Sequence, residues 1–417
     1  MRITYLHQYF NTPAMPGGTR SYELGRRLVA MGHEVNMVTS FRGANHRMEW
    51  FESEEAGMRV HWLPVPYSNR MSYQDRIRAF LRFAYQSASK AASFKADVIF
   101  ATSTPLTIAL PAVHAAKRQK VPMVFEVRDL WPEMPIAMGA LRNPVLRSAA
   151  RCLEKWAYRH SAAIVALSPS MKSGIARSGF PEERIGVIPN GSDNAEFAHN
   201  EEAGRKFRRA RPWLQNKPLL LYLGTLGKVN GAGYAVDLAV ALQQLKSDIR
   251  ILLIGDGVER EMIKDAAVKR GVLGQNLFLE PQIEKREVLG ALSAATTAAN
   301  FVIDLPEARK NSANKFFDTL AAGKPIFLNH GGWMHDLVLL HRCGFPMWQK
   351  PMSEVAAELH FALHDLAWLA QAGSEARQLA EKYFDRDILA NQFEQLLVAA
   401  TRNKAHAASN IAPGYYC

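Results

Sequence analysis

Cysteine is scarce: Cys152, Cys343 and Cys417 are the only three in 417 residues, far apart and without metal-ligand spacing. That excludes a disulfide framework and a cysteine-rich zinc module, and it suits a reduced, cytosolic setting. Long apolar runs are missing as well. No stretch of eighteen residues is apolar and free of charge, so no spanning helix is expected. The opening MRITYLHQYF has too short an apolar stretch for a signal peptide and leads into a Pro/Gly loop. Negative charge is the minority: 39 Asp and Glu stand against 51 Lys and Arg, a formal net charge of +12. A basic chain favours polyanions, whether nucleic acid, an anionic membrane face or phosphate-bearing substrates. No RNA-binding motif, zinc motif or aromatic–basic interleaving on strands accompanies the charge, so no nucleic-acid partner is expected. No His/Cys ligand set and no Ser/His/Asp triad context occurs either.

What is present is an alternation of short apolar runs with helical spacing. ITYLH, EVNMVTS, VHWLP, DVIFATS, VPMVFEV and AAIVALS read as buried parallel strands rich in Val and Ile. After a polar, charged stretch over 198–217, the alternation restarts with PLLLYLGT, IRILLIGDG, NLFLEP, TTAANFVID and PIFLNH. Helices are expected between these at 232–246, 259–270, 285–294, 314–322 and 333–341, and throughout 353–401. The class is α/β, in two doubly wound halves, since 417 residues exceed one core. The 198–217 stretch reads as the connection. In open α/β sheets ligands sit beyond the carboxyl ends of strands, so the loops there are the candidate sites.

Pro16-Gly17-Gly18-Thr19 follows the first strand and precedes a helix, where adjacent glycines let backbone N–H groups approach a phosphate. The same residues also suit a plain β–α turn. Gly255-Asp256-Gly257 is a lone GxG and reads as a tight turn rather than a dinucleotide fingerprint. Glu126 to Glu133 (EVRDLWPE) gathers Arg128 and Asp129 at a strand's carboxyl end, suiting either a substrate loop or a salt-bridged one. In NSANKFFDTLAAGKP, Ser312 or Asn314 caps a helix whose one face carries Asn314, Lys315 and Asp318. A helix start, a cation and a carboxylate together suit a nucleoside diphosphate. The spacing equally suits a capped amphipathic helix with a solvated ion pair. Asp385-Arg386-Asp387 has the form of a metal-binding DxD but lies between helical stretches, so capping and surface roles explain it better. Near 75–91 and 146–160, Arg76, Arg78 and Arg82, and Arg147, Arg151, Lys155 and Arg159, interleave with apolar residues at helical spacing. Such helices can lie on an anionic membrane face or pack on a core with a solvated side.

Taken in order, PGGTRSYELGRRLVAMGHEV, FEVRDLWPE, SPSMKSG, IGVIPNGSD, LYLGTLG, ILLIGDG and NSANKFFDTLAAGKPI resemble the family-4 retaining glycosyltransferases of the GT-B fold. RDLWPE and HGGWMHDL are similar to the bacterial polysaccharide branch that transfers N-acetylated hexosamines or deoxyhexosamines such as N-acetylfucosamine. The resemblance implies two facing Rossmann-like domains with a cleft between them. The first would span 1–205 and take back the last helix, about 388–417; the second would span 206–387. It implies a UDP-sugar donor, no metal or other cofactor, and retention at the anomeric carbon. The implied acceptor is a polyprenyl-diphosphate-linked saccharide at the inner membrane face, in O-antigen or capsule synthesis, reached by a cytoplasmic, peripheral protein through its basic helices.

Residue by residue, Gly17 and Gly18 match the family's glycine loop near the donor phosphates. Asn314 and Lys315 match the Asn-Lys that opens its nucleotide helix. Asp318 stands at the second Glu of the E-x7-E motif, which binds ribose, while Lys310 stands at the first. Arg128 replaces a His beside the reacting sugar, and Asp129 follows as usual. Thr225 and Asn230 stand where an Arg and a Lys often neutralise the diphosphate, with Lys228 nearby. The expected donor-binding set is Gly17, Gly18, Gly224, Thr225, Asn314, Lys315 and Asp318; the expected catalytic set is Arg128, Asp129, Lys228 and Lys315. Two other readings stay open: a sugar-nucleotide epimerase or hydrolase of the same fold, against which the basic helices argue, and a non-catalytic nucleotide-sugar binder, which the Lys310 and Arg128 departures allow.

Overall fold

The computed structural model describes all residues except 16, 44–48, 68–70, 403–407, 409–413 and 415–417. Pro16 of the glycine loop, Cys417 and most of the expected helix beyond 402 therefore lie outside the described residues. The chain divides into two compact units: Met1–Pro189 with Arg386–Pro413, and Asn190–Asp385 with Gly414–Cys417.

The first unit is built on eight strands: β1 Arg2–Leu6, β2 Glu34–Phe41, β3 Phe51–Glu55, β4 Met58–Pro64, β5 Val98–Thr102, β6 Met123–Val127, β7 Ala163–Ala166 and β8 Ile185–Val187. Their order is β3-β4-β2-β1-β5-β6-β7-β8. All pairings are parallel except β3 with β4. β1, β5, β6 and β7 are buried almost end to end, which a sheet covered on both faces requires and which their Val/Ile runs supply. The last helix, Arg386–Thr401, belongs to this core: Leu389, Phe393, Leu396 and Leu397 are buried in it. Phe393 meets Phe100 of β5 edge to face at 4.7 Å between ring centroids.

The second unit holds six parallel strands: β9 Leu219–Leu223, β10 Arg250–Ile254, β11 Leu277–Glu280, β12 Thr297–Asn300, β13 Ile326–Leu328 and β14 Gly344–Pro346. Their order is β11-β10-β9-β12-β13-β14. The strand order reverses between β1 and β5 in the first sheet and between β9 and β12 in the second. Those are the points where α/β sheets open a crevice for ligands.

Three strands escape the sequence pattern. β3 (FESEE) alternates half-buried and exposed residues on the sheet's edge, and β8 and β14 have only three residues each. The expected boundary at 205/206 is also corrected. The stretch 198–217 is not a free connection: Asn200 caps a helix, Glu201–Arg209, whose Gly204 packs on the backbone of Ser293. Arg208 from this helix donates to the carbonyls of Ala294 and Lys217. Phe207 is buried in the second unit's core, so the first unit ends at Pro189.

Candidate functional site

In the second unit the expected residues gather beside β9. Gly224 follows the strand at φ +142°, and a Cβ there would lie 2.8 Å from Lys315 Nζ. The missing side chain is the space the ammonium occupies. Lys315 reaches it from the helix Asn314–Ala321, its Nζ 3.9 Å from the centroid of the Tyr222 ring. A ring face attracts a cation. The Tyr222 hydroxyl donates instead to the Thr225 carbonyl at 2.8 Å. The ammonium is buried and has no hydrogen-bond partner among the described residues. Burial pulls Lys315 from its ordinary 10.5 down to about 7. Three donors with no acceptor, held in a dry seat, make a site for an anion.

The helix that carries Lys315 adds to this. Ala313 stands at its N-cap and no side chain caps it. Ser312 does not cap the helix as expected: its hydroxyl accepts from the Asn190 N–H at 3.1 Å, and its carbonyl accepts from Asn190 Nδ2. Asn314 takes the first helical position, where the helix dipole presents its positive end. Asp318, on the next turn, is half-buried and accepts from Ser192 Oγ at 2.8 Å. Thr225 and Lys228 are exposed on the loop after β9, and Lys228 makes no ion pair with a described residue. Gly255-Asp256-Gly257 has a packing role. A Cβ at Gly255 would fall 1.8 Å from the Gly224 carbonyl oxygen, and one at Gly257 2.3 Å from that of Leu226. The two loops press together there, which fixes Gly224 and Thr225.

In the first unit the loops after β1, β5 and β6 converge. Arg128 and Asp129 follow β6, and the Arg128 N–H donates to Ser103 Oγ, after β5, at 3.0 Å. Arg128 Nη1 donates to Nε2 of buried His7, after β1, at 3.3 Å. That assigns the ring's proton to Nδ1, which has no partner among the described residues. Burial, then the charges of Arg128 and Arg42, hold His7 well below 6.5, so the ring is neutral near pH 7. Burial raises the Asp129 carboxyl above 3.8, while Arg128 pulls it down. Gly17, at φ +121°, and Gly18 are exposed before the helix Arg20–Ala30. A Cβ on Gly17 would lie 2.6 Å from Asn11 Nδ2, which itself donates to the Gly18 carbonyl at 3.3 Å.

Sequence patterning picks out neither His7 nor the support under these loops. Arg20 forms a buried ion pair with Glu126 at 2.9 Å and donates to the carbonyls of Ile188 and Pro189 at 2.8 and 2.6 Å. Thr102 Oγ1 donates to the other Glu126 oxygen at 2.5 Å. The signal available was position: His7 is the first polar residue after the run of β1, and Glu126 is a carboxylate inside an apolar strand. Of the DxD, Asp385 accepts from Asn194 Nδ2 at 2.9 Å and Asp387 pairs with Arg27 at 2.6 Å.

Both basic segments are helices, Tyr73–Ser93 and Pro144–Arg159. The second departs from a simple core-facing pattern. Val145 and Leu146 are 72% and 48% exposed, beside exposed Arg142, Arg151, Lys155 and Arg159. Leu81 and Tyr85 are exposed on the first. No described helix is long and apolar enough to cross a membrane.

Residues 17–191 match the family model of the glycosyl transferase 4-like domain. The chain is 26% identical over 332 residues to a glycogen synthase of Mycobacterium tuberculosis, covering 79% of this chain and 74% of that protein. It is 22% identical over 282 residues to WcaI of Escherichia coli, named as a colanic acid biosynthesis glycosyl transferase, covering 64% and 69%. Among solved structures it is similar to sucrose-phosphate synthase from Thermosynechococcus elongatus, with a TM-score of 0.75, 18% identity, and 95% and 98% of the two chains covered. It is also similar to Anabaena HepE in complex with UDP-glucose, with a TM-score of 0.70, 18% identity, and 96% and 100% covered.

Proposed function

Because the chain is a glycosyltransferase of the GT-B type, we propose that it moves a sugar from a UDP-sugar to a lipid-diphosphate-linked saccharide in surface polysaccharide synthesis. The transfer is retaining and needs no metal at the donor phosphates, and the sugar is an N-acetylated hexosamine or deoxyhexosamine. One observation carries the donor half of this reading. The unpartnered Lys315 ammonium sits in the seat left by Gly224, at the uncapped start of its own helix. Breaking a sugar–phosphate bond puts negative charge on the leaving diphosphate, and preorganised donors in a dry site stabilise that charge. Lys315, the helix start and Lys228 supply positive charge there, and Asp318 serves the ribose. In the first unit, Arg128, Asp129 and the neutral His7 bind the acceptor and orient its hydroxyl. A neighbouring fold solved with UDP-glucose and a relative named for colanic acid biosynthesis support the choice of donor and of product class. The exposed Val145 and Leu146 among arginines support an acceptor met at an anionic membrane face.

The test is calorimetric titration of the protein in EDTA against UDP, GDP, TDP and NAD. Micromolar binding of UDP, at least tenfold tighter than of the others, is the expected result. No UDP binding, or binding only with a divalent ion, removes the proposal.

A further inference from the structure

A second cluster of polar groups lies at the other end of the second sheet. Ser247 and Asp248 precede β10, whereas Gly255 follows it, so the five residues of β10 (about 17 Å at 3.3 Å per residue) separate this cluster from the Gly224 seat. The helix Met352–His364 brings His360 and His364 to it, four residues apart and therefore on one face. One ligand atom each from Asp248, His360 and His364 lies within 4.8 Å of the others.

The hydrogen bonds around the two rings decide what this cluster is for. His364 Nδ1 lies 2.7 Å from the His360 carbonyl, and His364 Nε2 lies 3.0 Å from Asp248 Oδ1. Both nitrogens face acceptors. A neutral ring satisfies only one of them; the second needs a proton or another cation at Nε2. His360 Nδ1 lies 2.9 Å from Ser247 Oγ, which leaves its Nε2 for a ligand. A ring nitrogen anchored by a carbonyl or hydroxyl, with the opposite nitrogen open, is the arrangement that supports metal-bound histidines.

We propose that Asp248, His360 and His364 form a surface site for a divalent transition metal ion of the zinc class. Two imidazoles and one carboxylate suit Zn2+, Ni2+ or Co2+ rather than Mg2+ or Ca2+. Tetrahedral coordination with bonds of about 2.1 Å sets ligand atoms about 3.4 Å apart. The Asp248–His364 pair, at 3.0 Å, is close to that spacing, and the His360 ligand atom lies within 4.8 Å of both, so small movements of the Asp248 and His364 side chains close the set. Water completes the sphere. The ion clips the helix Met352–His364 to the chain entering β10. It acts on the stability of the second unit and takes no part at the donor phosphates, so it is independent of a metal-free transfer.

The experiment uses tag-free full-length protein stripped with EDTA, then dialysed and titrated calorimetrically with ZnCl2. One ion per chain at micromolar Kd is expected. Melting temperature should rise by roughly 4 °C or more at a hundredfold excess over Kd. His364→Gln and Asp248→Asn should each weaken Kd by roughly ten- to a hundredfold. Their melting temperatures in EDTA should stay within about 2 °C of the parent, since surface substitutions change little. Absence of zinc binding overturns the proposal. So does stoichiometric binding that both variants retain. UDP titration in EDTA reads the donor site separately, so failure of one reading does not imply failure of the other.

Discussion

Lys315 shows how a single residue is legible in part. The sequence places it on a helix start beside Asn314, which suggests an anion. It does not reveal that Gly224 and Tyr222, some ninety positions earlier, build its seat, because that neighbourhood is made by the β9–β12 switch point. The consequence is a pH dependence. In the free protein Lys315 titrates at about 7, and a bound diphosphate holds the proton on. Affinity for UDP should therefore be full below about pH 7 and fall by up to about tenfold per pH unit above it. Near pH 8, binding should draw close to one proton from solution, measurable by calorimetry in buffers of different ionisation heat. Lys315→Met should abolish that uptake and weaken UDP by roughly ten- to a hundredfold, as expected for losing a charged hydrogen-bond partner. An unchanged proton count in the variant would remove Lys315 from the site. Arg128 and Asp129 were legible as a polar end to an apolar strand, but His7 beside them was not, since contact across 121 positions leaves no mark in a local pattern.

At the level of elements, the runs that became β1, β5, β6, β9 and β10 were readable because burial on both faces demands mostly apolar residues along the whole strand. β3 was not, because one half-exposed edge strand has no such demand, and three-residue strands carry too little pattern to register. The helix Glu201–Arg209 was mistaken for a connection because its charged face dominates its composition; Gly204 and Phe207 are its buried residues. The contact between the loops after β9 and β10 offers a sharper check. Gly255→Ala should push the Gly224 carbonyl away, lowering stability by about 1–3 kcal/mol, the usual cost of overpacking. UDP affinity should fall at least tenfold with it. Gly271→Ala is the control at a position where a new Cβ meets nothing within 4 Å. Its left-handed backbone costs some stability, but UDP binding should be unchanged. If both variants bind UDP like the parent, the loop contact does not position the donor site.

For the whole molecule, a net charge of +12 predicts attraction to anionic surfaces. Binding to vesicles containing phosphatidylglycerol should weaken with salt, and Val145→Glu with Leu146→Glu should reduce it at least tenfold at constant salt. Equal binding by parent and variant, measured by flotation, would take the membrane contact away from the helix Pro144–Arg159. The division into two α/β units was visible from length and the break in alternation; where it falls was not, since Asn190, Ser192 and Asn194 are claimed by the second unit through Ser312, Asp318 and Asp385. The bare backbone at Gly224 reaches furthest of these features. It lets a lysine sit only half-charged near neutrality, so on the proposed reading a nucleotide that leaves after transfer also returns a proton to alkaline solution. Product inhibition by UDP should then ease as the surroundings turn alkaline, making the turnover cycle itself a reader of ambient pH.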